Sequence, residues 1–179
     1  VTDAVIRSSY SDKQASEQFI DSNLALFAMA QALERTHTNT RIFTARQLGG
    51  FEYLPRPLPD LYLVHNQGDV TIRYFLYHYR DGKRYDIPVR SRIQQLITYR
   101  ESGNYEVTGN NFPTVLAVYD TTSIQRLTQR TFRNALNRSY ESLAVYTTSR
   151  TAVTSLGKES AIWSPIEDPE ELIPLDAVE

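Results

Sequence analysis

This sequence predicts a mixed α/β fold, a central sheet with helices on both faces, from three observations. Two apolar segments, Leu61–Val64 and Val70–Tyr79, are separated by a short polar turn, which reads as an antiparallel hairpin. Thr114–Tyr119 is an unbroken apolar run of the kind buried on both faces of a parallel sheet. Between and around these runs lie segments with three-and-four apolar spacing, the period of helices packed on one side.

Taken in order, residues 1–11 are polar and aperiodic and are expected to form a flexible N-terminus. From Asp12 a helical pattern follows. Phe19, Ile20, Leu24, Phe27, Met29, Ala30 and Leu33 supply a wide apolar stripe, and the helix is expected to end near Thr36–Asn39. Arg41–Ala45 reads as a short strand. The proline-rich stretch Leu54–Pro59 must be an extended connector, since proline cannot donate to a central ladder. Leu61–Val64 and Val70–Tyr79 form the hairpin, with His65–Asp69 expected as its turn. Pro88 suits the first turn of a helix that runs to about Glu101 with Val89, Ile93, Leu96 and Ile97 inward. After Thr114–Tyr119, Thr122 followed by Gln125 suggests a capping box opening the next helix. Leu143–Thr147 is the last strand, parallel to Thr114–Tyr119 across the intervening helix. A weak helical segment follows near Arg150. The expected order is α-β-β-β-α-β-α-β, with one domain over residues 12–160 and an acidic C-terminal tail over 161–179, either mobile or lying as a strap over a basic body.

The chain has 179 residues, enough for one core without staples. It contains no cysteine, which excludes disulfides, thiolate catalysis and cysteine-ligated metal sites. No apolar run approaches the ~20 residues of a membrane helix, and no secretory signal pattern opens the chain. The expectation is a soluble, cytoplasmic protein with no membrane partner. The net charge of −2 hides a split. Six acids and no base follow Pro165, leaving fifteen acids against nineteen bases in the rest. Most of those bases are arginines, whose planar fork suits phosphate.

Several short pieces, in this order, carry a resemblance. They are Ser22-Asn23-Leu24-Ala25-Leu26 in the first helix, Pro59-Asp60 opening a strand, Phe75-Leu76 before Arg80, and Phe112-Pro113-Thr114-Val115-Leu116-Ala117-Val118 ahead of a capped helix. Over about Phe19 to Val153 the chain resembles the C-terminal domain of the plasmid replication-relaxation family, a restriction-endonuclease-like core of the PD-(D/E)xK type. The resemblance implies a winged-helix DNA-binding domain ahead of this module, which this sequence does not include. It also implies an Asp and a second acid holding magnesium, with a lysine positioning water. Asp60 matches the first acid. Where the family shows Phe-Leu-Glu-x-Asp-Arg, this chain reads Phe75-Leu76-Tyr77-His78-Tyr79-Arg80, so Tyr77 and Tyr79 replace both acids.

The expected function is therefore a catalytically degenerate nuclease-like domain supporting plasmid or mobile-element replication or transfer, by binding DNA or a replication or transfer protein. No cofactor is expected. Asp60 is the remnant of the catalytic site. Tyr77, Tyr79, Arg80, Lys83, Arg84, Arg90 and Arg92 are the candidate DNA contacts, because aromatics interleaved with cations can stack bases and hold phosphates. One alternative is an active magnesium-dependent nuclease with ligands relocated to Glu52, Asp69 or Asp81 and with Lys83 swinging in. The other is a protein-interaction module using the acidic tail. His37, His65 and His78 lack the spacing of a zinc motif, and His78 alternates with the two tyrosines to point to the opposite face.

Overall fold

The structure is a computed structural model that describes residues 17–80, 86–109, 111–139, 143–155, 157 and 160–178. The expected flexible segment 1–11 lies outside these residues. A long helix, α1 (Glu17–Thr36), leads into β1 (Thr40–Thr44) and the short helix α2 (Ala45–Leu48). The hairpin β2 (Leu61–Gln67) and β3 (Val70–Tyr79) comes next, then α3 (Asp86–Glu101). β4 (Thr114–Tyr119), α4 (Thr122–Ser139) and β5 (Val145–Ser149) form a crossover unit. The short helix α5 (Arg150–Thr154) and β6 (Ser164–Pro165) follow, and a 3-10 turn closes the chain at Leu175–Ala177.

The six strands lie side by side in the order β1-β2-β3-β4-β5-β6. β3, β4 and β5 are mutually parallel, and the remaining neighbours are antiparallel. The fold class is thus α/β with a mixed sheet flanked by helices. Strand alternation divides the interior into two cores. On one face Phe75, Tyr77, Val115, Ala117 and Tyr119 pack beneath Val89, Ile93 and Leu96 of α3 and Phe132 of α4. On the other, Leu61, Leu63, Tyr74, Leu76, Leu116 and Val118 pack beneath Met29 and Leu33 of α1, Val153 of α5 and the C-terminal segment.

Several local expectations change on tertiary grounds. The hairpin turn is Gly68–Asp69 alone, with Gly68 at φ 62°, the positive-φ geometry that suits glycine in a two-residue loop. His65 and Asn66 stay in β2 because their polar atoms find partners there. The Thr40 hydroxyl lies 2.7 Å from His65 Nδ1, and Thr71 Oγ1 donates to Asn66 Oδ1 at 3.0 Å. Gln125 does not fold back as a cap. Its Nε2 donates to Thr147 Oγ1 at 3.1 Å, joining Gln129, which donates to the same oxygen at 2.7 Å and to Ser164 Oγ at 3.1 Å. This buried network fixes α4 to β5 and β6. In α1, only the C-terminal half of the apolar stripe is covered. Met29 and Leu33 are buried, whereas Phe19, Ile20, Leu24 and Phe27 stay exposed where the helix overhangs the β1–α2 corner. They line one wall of an open groove of about 900 Å³.

The largest correction concerns residues 161–179. They are not a free acidic tail, and the domain does not stop at residue 160. Trp163, the single tryptophan, is fully buried and bridges to Ile173, β6 pairs with β5, and Leu175 and Val178 plug the second core. The Tyr74 hydroxyl lies 3.3 Å from the carbonyls of both Leu175 and Val178. Glu167, Asp168, Glu170 and Glu171 are exposed while Trp163, Ile166, Leu175 and Val178 hold the segment down, an amphipathic arrangement that a count of charges conceals.

Candidate functional site

The position implied by Pro59-Asp60 lies where β2 begins, β3 ends and α3 passes over both. Three contacts set Asp60 in place. Its N–H donates to Leu76 O at 3.0 Å, its carbonyl accepts from Ala45 N at 3.3 Å, and its Oδ2 accepts from His78 N at 2.8 Å. Burial raises the Asp60 carboxyl above the ordinary carboxylate range, opposed by the His78 N–H and the nearby Arg92 cation. Arg92 comes from α3 and is already engaged. Its Nη1 donates to Pro57 O at 2.8 Å, and its Cζ sits 4.3 Å from the Tyr77 ring centroid. The guanidinium thus clamps the proline connector and caps an aromatic ring.

Tyr77 and Tyr79 cannot offer stacking faces to a base. Tyr77 is 2% exposed and Tyr79 9%, and Tyr79 stacks on Tyr119 with centroids 5.2 Å apart. Their side chains point into the core shared with α3 and α4, and burial raises every one of these phenols. The hydroxyls of Tyr77, Tyr79 and Tyr119 are buried without a hydrogen-bond partner among the described residues. Arg80 is exposed at the end of β3, and Arg90 is exposed beside a groove of about 440 Å³ between α3 and α4. Lys83, Arg84 and Asp81 lie outside the described residues. Of the seven sequence-predicted contacts, the structure brings together Tyr77, Tyr79 and Arg92, all three committed to packing.

Of the relocated ligands, the structure describes Asp69 and Glu52. Asp69 sits in the hairpin turn, at the far end of β2 from Asp60. The seven residues of β2 separate them, about 20 Å at strand rise. Glu52 is exposed on the connector. Among the described residues, no three His, Cys, Asp or Glu side chains converge as a metal-binding group. The described donors around Asp60 do not fit magnesium, which takes hard oxygen ligands and favours several carboxylates. Among the described residues the Asp60 carboxylate already accepts a backbone N–H and lies near the Arg92 guanidinium, whose charge opposes a dication.

No family model, curated protein or solved structure matches this chain.

Two polar clusters on the other face escaped sequence reasoning. His78 Nε2 lies 3.0 Å from Asp120 Oδ1, which also meets Arg150 Nη1 at 3.4 Å, so three strand ends are tied together. At the opposite end of the sheet, His37 Nδ1 and His65 Nε2 approach the same Asp176 oxygen, at 3.3 and 3.4 Å. Both imidazoles are buried and lie edge to face, 6.0 Å apart. No spacing in the sequence announces either cluster, because each joins residues from three separate elements.

The second cluster makes docking of the C-terminal segment sensitive to pH. Burial holds His37 below its ordinary value of 6.5. Asp176 pulls the other way, and His65 adds to the depression. A histidine whose folded pKa is lowered stabilises the fold fully above its unfolded value, and that contribution is lost as pH falls toward the folded one. Thermal unfolding followed by circular dichroism should therefore show a midpoint that falls as pH drops below about 6.5. His37→Gln should flatten that fall, and an equal slope in the variant would count against the assignment.

Proposed function

We propose that this chain is a catalytically degenerate, nuclease-like α/β domain that supports DNA replication or transfer on a plasmid or other mobile element by holding DNA rather than cutting it. One observation carries the reading. Among the described residues at the position of the resemblance's metal site, Asp60 lies near Arg92 and a layer of buried tyrosines, with no second acid or lysine beside it. The antiparallel hairpin entering a parallel β-α-β unit is compatible with a restriction-endonuclease-like ancestry. Loss of the metal ligands removes water activation but leaves the scaffold, on which cations can still meet phosphate.

The test pairs cleavage with binding. Supercoiled plasmid incubated with Mg²⁺ or Mn²⁺ should stay intact, while a labelled duplex should bind with an affinity that falls steeply with salt. Asp60→Asn keeps an acceptor for the His78 N–H and should leave both results unchanged. Metal-dependent nicking that disappears in Asp60→Asn would restore the nuclease reading. Absence of duplex binding at low salt would remove the DNA reading.

A further inference from the structure

Helix α4 carries four arginines and no acid along its eighteen residues. Ser123, Arg126, Arg130, Arg133 and Asn137 recur at alternating spacings of three and four, which keeps them in one straight stripe parallel to the helix axis. Arg126 and Arg130 are exposed, and Arg133 is half-buried. No described residue forms an ion pair with any of these three. Solvated helix faces usually place acids three or four residues from bases, because like charges at that spacing repel. Here both charged pairs on the stripe, Arg126–Arg130 and Arg130–Arg133, are like-charged. Local repulsion tolerated with no ion-pair partner among the described residues points to an external one.

The opposite side of α4 makes the stripe rigid. Gln125 and Gln129 tie the helix to β5 and β6, and Phe132 and Leu136 anchor it in the first core. A single exposed apolar side chain of α4, Leu127, flanks the stripe, whereas a protein-binding face would carry a cluster of apolar or aromatic anchors. The flanking Ser123 and Asn137 are ordinary phosphate hydrogen-bond donors. From Arg126 to Arg133 the helix rises about 10 Å. That span matches about three phosphate-to-phosphate steps of one strand at ~3.4 Å of axial rise each.

We infer that the exposed face of α4, through Arg126, Arg130 and Arg133, is the surface that binds the phosphate backbone of duplex DNA, independently of base sequence. The inference rests on the DNA-holding reading above and moves its contacts from the end of β3 to α4. Arg92 is already committed to Pro57 and Tyr77. The stripe's arginines form no ion pair with a described residue.

Fluorescence anisotropy of the full chain on a labelled duplex of arbitrary sequence, across salt concentrations, tests it. The Arg126→Gln/Arg130→Gln/Arg133→Gln variant should lower the slope of log affinity against log salt by about 2 to 3. Between 50 and 200 mM salt the native chain should then lose about 40-fold more affinity than the variant. Arg130→Gln alone changes one exposed side chain and should lower the slope by about 0.9. The triple lysine variant should retain the native slope, which a merely structural role for the guanidinium groups would not allow. A native chain that binds DNA while the triple variant keeps its slope overturns the α4 assignment and leaves the DNA reading standing, with Arg90→Gln then expected to weaken binding. A native chain that does not bind duplex overturns both.

Discussion

Deletion of residues 161–179 should leave a chain that does not fold. Trp163, Ile166, Leu175 and Val178 are each at most 1% exposed, and together they fill space in both cores. Burying each such side chain stabilises by roughly 1.5–3 kcal/mol, so the four together contribute on the order of 6–12 kcal/mol. That is comparable with the whole stability of an ordinary domain, about 5–15 kcal/mol. The deletion also strips partners from buried polar groups. Gln129 and Thr147 lose Ser164, and the Tyr74 hydroxyl loses both carbonyls near it. Far-UV circular dichroism and thermal melting should show loss of the cooperative transition. A truncated chain that melts cooperatively near the native midpoint would mean that the segment is accessory after all.

Replacing Arg92 should produce the largest effect of any single change around Asp60. Arg92→Ala removes the cation above Tyr77, the bond to Pro57 O and a guanidinium whose charge acts on Asp60. A desolvated cation–π contact is worth up to ~2 kcal/mol, and a charged hydrogen bond about 1.5–3 kcal/mol. Because the side chain is half-buried, part of each is screened, and a total loss of about 2–4 kcal/mol is expected in urea unfolding. Arg92→Lys keeps the charge beside Asp60 but not the planar fork that lies on the ring while bonding a carbonyl, so its loss should be intermediate. A loss below about 0.5 kcal/mol in the alanine variant would show that the clamp contributes nothing and that Arg92 is free for another task.

The hairpin, the unbroken β4 run and the crossover helix were legible because each depends on local period. Two apolar strands with a polar turn can hardly pair otherwise, and a run buried on both faces must be central. The site was less legible. Asp60 stands where its Pro-Asp context placed it, bonded to a backbone N–H. Tyr77 and Tyr79 were assigned to a surface because alternation says which side chains share a face, not whether that face is covered. Helices α3 and α4 cover it. In α1 the error ran the other way. Ile20, Leu24 and Phe27 have the spacing of a buried stripe, yet no element of the described chain lies over them.

Local periodicity and turn chemistry in the sequence determined the α/β class, the hairpin and the parallel unit. Tertiary structure alone decided that Arg92 faces Asp60 and that Asp176 meets His37 and His65. It also turned an acidic tail into part of the core and left Arg126, Arg130 and Arg133 of α4 without an ion pair to any described residue. Those outcomes depend on which distant surfaces meet and which stay open. Burial and charge pairing between residues more than a hundred positions apart leave no periodic trace in the chain.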